Sequence, residues 1–172
     1  MFLTLVTGKI FNLHDLITLF LVFMKIEYNN LYTHFVMVTE KRTKLITSTH
    51  RERIEKYITG IVNHNNCKMY AIYANPEHVH FLISRSPAVS EEYIATAVAN
   101  SSERFITENN LCPGKFAWQQ SASAFSVSKK DIDHICRYIL NQHEHHRIKT
   151  FEEEYNEFLH EYQKTLKPKI RE

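Results

Sequence analysis

Two histidines separated by one residue, His78 and His80, sit in the apolar run His-Val-His-Phe-Leu-Ile-Ser over 78–84. A run of this length and composition predicts a β-strand, and strand side chains alternate between two faces. His78 and His80 therefore project side by side on one face, while Val79, Phe81 and Ile83 project on the other and can pack into a core. Paired imidazoles on a rigid strand form half of a site for a divalent metal. The other half must come from elsewhere in the fold, and the best source is the segment 131–147, in which Ile132, Ile135, Cys136, Ile139 and Leu140 predict a helix with one buried stripe. Tyr138 and Gln142 are four residues apart, so they share a ridge at the edge of that stripe. A tyrosine so placed is ordinarily half-buried packing with its hydroxyl in water. Next to a metal it could do chemistry. A phenol is a weak nucleophile, with a pKa of ~10, but it becomes competent when the electrophile is activated instead. A divalent ion held by His78, His80 and the Gln142 carbonyl would polarise a phosphate ester. Attack by Tyr138 would then leave a covalent phosphotyrosine. That bond stores the energy of cleavage, so rejoining needs no nucleotide cofactor.

The elements that must position these residues are legible from periodicity. Tyr32–Thr39 is β-branched and aromatic and predicts a first strand. Thr47-Ser48-Thr49 offers N-caps for a helix over 50–63, with Ile54, Tyr57, Ile58, Ile61 and Val62 as its apolar stripe. Cys67–Ala74 predicts a second strand, and the turn Asn75-Pro76-Glu77 makes it an antiparallel neighbour of the histidine strand. A second helix starts after Ser90 and runs to about Glu108; 112–115 is a turn; 116–118 and 124–127 predict two short strands. Ser128-Lys-Lys-Asp131 resembles a capping box for the tyrosine helix, and Thr150 caps a fourth, acidic helix through Tyr162. The order β-α-β-β-α-β-α-α predicts an α+β fold, an antiparallel sheet with helices packed on one face.

A chain of 172 residues suffices for one domain with a real core. The net charge of +2 decides little, but its distribution says more. Residues 41–68 hold seven Lys or Arg against two Glu, whereas 151–162 hold five Glu and no Lys or Arg. Either these are solvated helix faces, or the basic side meets phosphate. Three scattered cysteines with no Cys-x-x-Cys pattern fit neither a disulfide framework nor a zinc ribbon, which points to a reducing cytoplasmic setting. The nine-residue apolar run Leu16–Met24 falls short of the ~20 residues that span a bilayer. Residues 1–23 read as an extension upstream of a natural start at Met24, with a membrane-associating helix as the alternative. Residues 24–172 then form a single domain.

His-Val-His over 78–80 resembles the paired-histidine "HUH" motif of single-tyrosine nucleases. The segments 99–106, 114–119, 124–128, 138–142, 144–146 and 150–155 together resemble the insertion-sequence 200/605 transposase family, in the right order and over about Tyr28–Tyr162. The resemblance implies a ferredoxin-like (RRM-like) nuclease core followed by C-terminal helices, the first carrying the nucleophile. It implies homodimers that cut and rejoin single-stranded DNA at insertion-sequence ends, recognised through subterminal hairpins, with a 5′-phosphotyrosine intermediate and shared active sites. Carried onto this chain, Tyr138 is the nucleophile and His78, His80 and Gln142 are ligands to Mg2+ or Mn2+. Two departures stand out. Glu77 precedes the histidine pair where Asp is usual, and Gln120-Ser-Ala-Ser123 replaces a stretch that commonly contains Gly, which implies a stiffer link to the tyrosine helix.

Lys41, Arg42 and Lys44 follow the first strand and suit phosphate contacts, as do Arg104 and Lys115. Trp118 is a core residue or a platform for an unpaired base. His145 and His146 read as helix-end histidines and His34 as structural, with no partner at metal spacing. Glu152, Glu153 and Glu154 read as favourable charge at a helix N-terminus, not as a metal site. The alternatives to an active transposase are a domesticated hairpin-specific endonuclease and a DNA-hairpin-binding protein whose catalysis has decayed.

Overall fold

The computed structural model describes residues 5–6, 9–10, 26–144 and 151–166. The apolar run 16–24, His145, His146 and Thr150 lie outside them. After a pair of two-residue antiparallel strands, β1 (Leu5–Val6) and β2 (Lys9–Ile10), the fold comprises β3 (Tyr32–Thr39), α1 (Arg51–His64), β4 (Lys68–Ala74), β5 (His78–Ser84), α2 (Glu91–Glu108), β6 (Trp118–Val127), α3 (Ile132–Leu140) and α4 (Phe151–Leu166). Among the described residues no helix is long and apolar enough to cross a membrane.

β3 to β6 form one antiparallel sheet in the order β4-β5-β3-β6, the split β-α-β arrangement of a ferredoxin-like core. The two central strands, β3 and β5, each present apolar side chains on one face. Phe35 and Met37 of β3 and Val79, Phe81 and Ile83 of β5 meet Ile54, Ile58 and Val62 of α1 and Ile94, Val98 and Ile106 of α2. The Phe35 and Phe81 rings stack at 4.9 Å. α1 and α2 thus cover one face, as the alternation of β5 requires.

The C-terminal helices cover the other face. Ile139 of α3 packs on Ala71 and Leu82, and Phe151 of α4 packs on Val36 and Val38. Opposed residues of paired strands point to the same side. In the observed register Val36 faces His80, Val38 faces His78 and His34 faces Leu82. The histidine pair therefore lies under α3 and α4, in the middle of the sheet.

Three local expectations change. The short strands expected at 116–118 and 124–127 are one strand of ten residues, β6, with Gln120–Ser123 inside it. Its small polar side chains carry little strand propensity; pairing along β3 from Tyr32↔Val127 to Met37↔Ala122 holds Ser123 and Ala122 extended, and the ladder resumes at Thr39↔Trp118 after a register shift. The tyrosine helix ends at Leu140, not near Arg147. Asn141 is its C-cap, with its N–H on the Arg137 carbonyl at 3.0 Å, and helix resumes at 142–144. Asparagine competes with helical hydrogen bonding through its own amide, which favours such a break. The break leaves Leu140 57% exposed, outside the buried stripe. Of the caps, Ser90 accepts from the Tyr93 N–H. Ser128 instead donates to Asp131 Oδ2 at 2.6 Å, and Thr47 supplies its backbone carbonyl, not its hydroxyl, to the start of α1.

Candidate active site

β5 sets His78 and His80 on one face of the sheet, and both are fully buried. Each ring is held at one nitrogen. His80 Nδ1 lies 3.0 Å from Nε2 of His34 on β3, and the two rings stack at 5.2 Å. His78 Nε2 lies 2.9 Å from Asn75 Nδ2, and Phe151 stacks on the His78 ring at 4.0 Å. The Asn75 amide also donates to Gln142 Oε1 at 3.1 Å, and Gln142 Nε2 donates to Glu154 Oε1 at 3.2 Å. Glu154 Oε1 stands 3.8 Å from His80 Nε2. A buried polar chain thus runs from the turn before β5, through the segment after α3, to α4.

His78, His80 and Glu154 each offer a ligand atom, all within 4.8 Å of one another. Two imidazoles and a carboxylate this close together fit a divalent cation that keeps open positions. The electrostatics agree. Burial, and then Glu157 nearby, pushes the Glu154 carboxyl up to about 7. A cation in reach is what would hold it ionised. Burial also pushes His34 down to about 4, so it is neutral at ordinary pH. A neutral His34 can accept a hydrogen bond from His80 Nδ1–H, the tautomer that leaves the His80 Nε2 lone pair toward Glu154.

Tyr138 stands at the same place. Its ring lies edge-on to His80 at 5.8 Å and to His34 at 6.2 Å, in the same chain, and its hydroxyl is shielded from solvent. α3 brings it there because Ile139 beside it is anchored on Leu82.

The structure therefore brings His78, His80, Gln142 and Tyr138 together and adds two residues. Glu154 corrects the reading of the glutamate run as mere helix-end charge. Glu152 is exposed and lies 3.9 Å from Arg42, whereas Glu154 is buried against the histidines. The sequence signal was its spacing, three residues after Phe151 on a helix whose first apolar side chain must face the sheet. His34 had no signal in local spacing, because it meets His80 only through strand pairing.

The expected DNA contacts divide. Lys41 and Arg42 form a tight turn after β3, both with positive φ, and the Arg42 guanidinium lies 5.7 Å from the Phe151 ring centre. Lys44 lines a cavity beside the site. Arg104, on α2, is exposed 3.9 Å from Glu108, and α2 covers the opposite face of the sheet. Lys115 is exposed in the turn after α2. Trp118 is corrected as a base platform. It is 6% exposed, its Nε1–H donates to Ser102 Oγ at 2.9 Å, and its ring packs edge-on to Phe116.

The family model described as "Transposase IS200 like" matches residues 27–142. The chain belongs to that family of transposases. Among solved structures, a protein from Deinococcus radiodurans R1 assigned as a transposase is similar with a TM-score of 0.54 at 20% identity, covering 70% of this chain and 98% of that one. A REP-associated tyrosine transposase bound to a REP hairpin is similar with a TM-score of 0.52 at 15% identity, covering 72% of this chain and 73% of that one. At these identities both attest the fold. No curated protein sequence matches the chain.

Proposed function

We propose that this transposase cleaves and rejoins single-stranded DNA through a covalent link to Tyr138, at a divalent metal site made by His78, His80 and Glu154 with Gln142 alongside. The observation that carries the reading is the convergence of these ligand atoms beneath a tyrosine ring 5.8 Å from His80. When bound there, Mg2+ or Mn2+ supplies Lewis-acid polarisation of the scissile phosphate. The Tyr138 oxygen attacks phosphorus and forms the 5′-phosphotyrosine bond. The P–O3′ bond breaks, and the phenol proton ends on the departing 3′ oxygen. Attack by a 3′-hydroxyl reverses the step and rejoins the strand without a nucleotide cofactor. His34 and Asn75 fix the two imidazole rings, and burial keeps bulk water from competing with the 3′-hydroxyl. The hairpin held by one structural relative supports subterminal hairpins as the recognised DNA feature. The working form is a homodimer that brings two ends together, with Tyr138 beside the histidines of its own chain.

The test is a denaturing-gel assay on single-stranded DNA carrying the hairpins that flank the gene, with Mn2+ or Mg2+. A metal-dependent protein–DNA adduct is expected from the native chain and none from Tyr138→Phe or His80→Ala. Hairpin binding without an adduct would replace this reading with that of a binding protein.

A further inference from the structure

The turn that follows β3 costs free energy to hold. Lys41 and Arg42 are consecutive, neither is glycine, and their φ angles are 56° and 54°. This left-handed region crowds Cβ against the backbone, so an L side chain adopts it only where its surroundings impose it. Here they do. Thr39, fully buried at the end of β3, donates its N–H to the Glu77 carbonyl at 2.9 Å. Its hydroxyl lies 3.0 Å from the same carbonyl and 2.7 Å from that of Thr43. Thr43 closes the turn on the Glu40 carbonyl, through its N–H at 3.2 Å and its hydroxyl at 2.9 Å. Glu77 is the residue before His78. The turn is therefore stapled to the backbone that carries the first histidine, which fixes where the Arg42 side chain starts relative to it.

From that start Arg42 reaches toward the centre. Its guanidinium carbon is 5.7 Å from the Phe151 ring centre, and Phe151 stacks on His78 at 4.0 Å. The two distances together put the guanidinium within about 10 Å of the His78 ring, about three nucleotide rises of ~3.4 Å. Among the described residues its ionic partner is Glu152, at 3.9 Å, with the two side chains 43% and 72% exposed. A pair so exposed adds little stability and does not offset two left-handed residues. At 3.9 Å no hydrogen bond forms, so the pair does not use the planar fork of donors that fits two oxygens of a phosphate. Resting on the proposed function, we infer that Arg42 grips a backbone phosphate of the substrate strand, within about three nucleotides of the scissile bond, and that Glu152 is its internal competitor, displaced when the phosphate arrives. The strained turn then serves to set the distance between this clamp and the histidines. Because the carboxylate and the phosphate compete for one cation, Glu152 weakens DNA binding only while Arg42 is present.

The probe is fluorescein-labelled dT10, titrated into the full chain in EDTA over a range of salt, so that binding is read without the chemistry. Arg42→Ala should weaken binding and lower the slope of log affinity against log salt by about 0.7, one single-strand phosphate contact. Arg42→Lys keeps the charge and should keep the slope, but it loses the fork and should bind more weakly than native. Arg104→Ala removes the same charge from α2, on the opposite face of the sheet, and should leave the slope at its native value. Glu152→Gln should tighten binding about two- to fivefold, the worth of one exposed pair, and that gain should vanish when Arg42 is already alanine. The inference is overturned if the native chain does not bind dT10, if Arg42→Ala keeps the native slope, if Arg104→Ala loses as much, or if the Glu152→Gln gain persists without Arg42. An Arg42 that only packed on Phe151 would change the melting temperature and not the slope. The adduct assay fails or succeeds on Tyr138 and the metal, so the two readings can fall separately.

Discussion

Replacing His34 by phenylalanine isolates the strand-pairing contact that orients His80. His34 is 2% exposed and His80 is fully buried, so water cannot stand in for the lost 3.0 Å hydrogen bond. The new ring stays among Phe125 and Tyr138, both within about 6 Å ring to ring, and opens no large cavity. Two estimates of the cost agree. Loss of an outer-shell partner to a metal-binding histidine lowers metal affinity about 10–100-fold, or about 1.4–2.7 kcal/mol. Leaving one buried polar group without its bond costs about 1–3 kcal/mol. The assay is calorimetric titration of native, His34→Phe and His34→Gln proteins with Mn2+. Phenylalanine should weaken binding by that 10–100-fold, and glutamine, which still offers a hydrogen-bonding atom, by much less. Binding by His34→Phe within twofold of native would refute the orienting role and return His34 to simple packing.

Three further outcomes follow from the same contacts. Glu154→Gln keeps the side chain's shape but removes its charge, and should weaken Mn2+ binding by at least about tenfold in the same titration; unchanged affinity would leave Gln142 as the third ligand in its place. Trp118→Ala removes a core ring and should cost about 3–5 kcal/mol in urea unfolding without altering DNA affinity at matched folded fraction; lost affinity in a folded variant would revive the base-stacking role. Glu55 accepts from the Ala74 N–H at 2.9 Å, yet burial still raises its pKa above the ordinary value, with Glu52 adding to the rise against Ala74 and Arg51. Below about pH 4 the side chain is protonated folded or unfolded and costs nothing, and the cost of ionising it grows as pH rises through the folded pKa. Glu55→Gln should therefore raise the melting temperature near neutral pH and lose that advantage in acid; a gain at every pH would contradict it.

What the sequence made legible was whatever depends on short periods. Alternation along 78–84 assigned both the core face and the histidine face, and the helical stripe of Ile54, Ile58 and Val62 is the one that packs. What it hid depends on pairing between distant segments. His34 reads as an isolated histidine until β3 is laid beside β5, 46 residues away in contact. Glu154 reads as surface charge because Glu152 and Glu153 beside it are surface residues, and only the docking of Phe151 on Val36 and Val38 turns the third glutamate inward. Gln120–Ser123 reads as a loop because its extended form comes from its neighbour and not from its own residues.

The placement of Glu154 also bears on the order in which the molecule opens. α4 meets the sheet through Phe151 and Tyr155 against Val36, Val38 and Phe125, through Phe151 on the His78 ring, and through a 3.3 Å hydrogen bond between the Tyr155 and Ser123 hydroxyls; Gln142 joins it through Glu154. The histidines lie on β3 and β5, each paired on both sides, which makes those strands the last to exchange their amide protons. A cation bound between Glu154 and the histidines would therefore clasp the C-terminal helix to the most firmly paired strands. Its release would loosen α4 while the sheet stays folded, and its return would close the centre again on an intact scaffold.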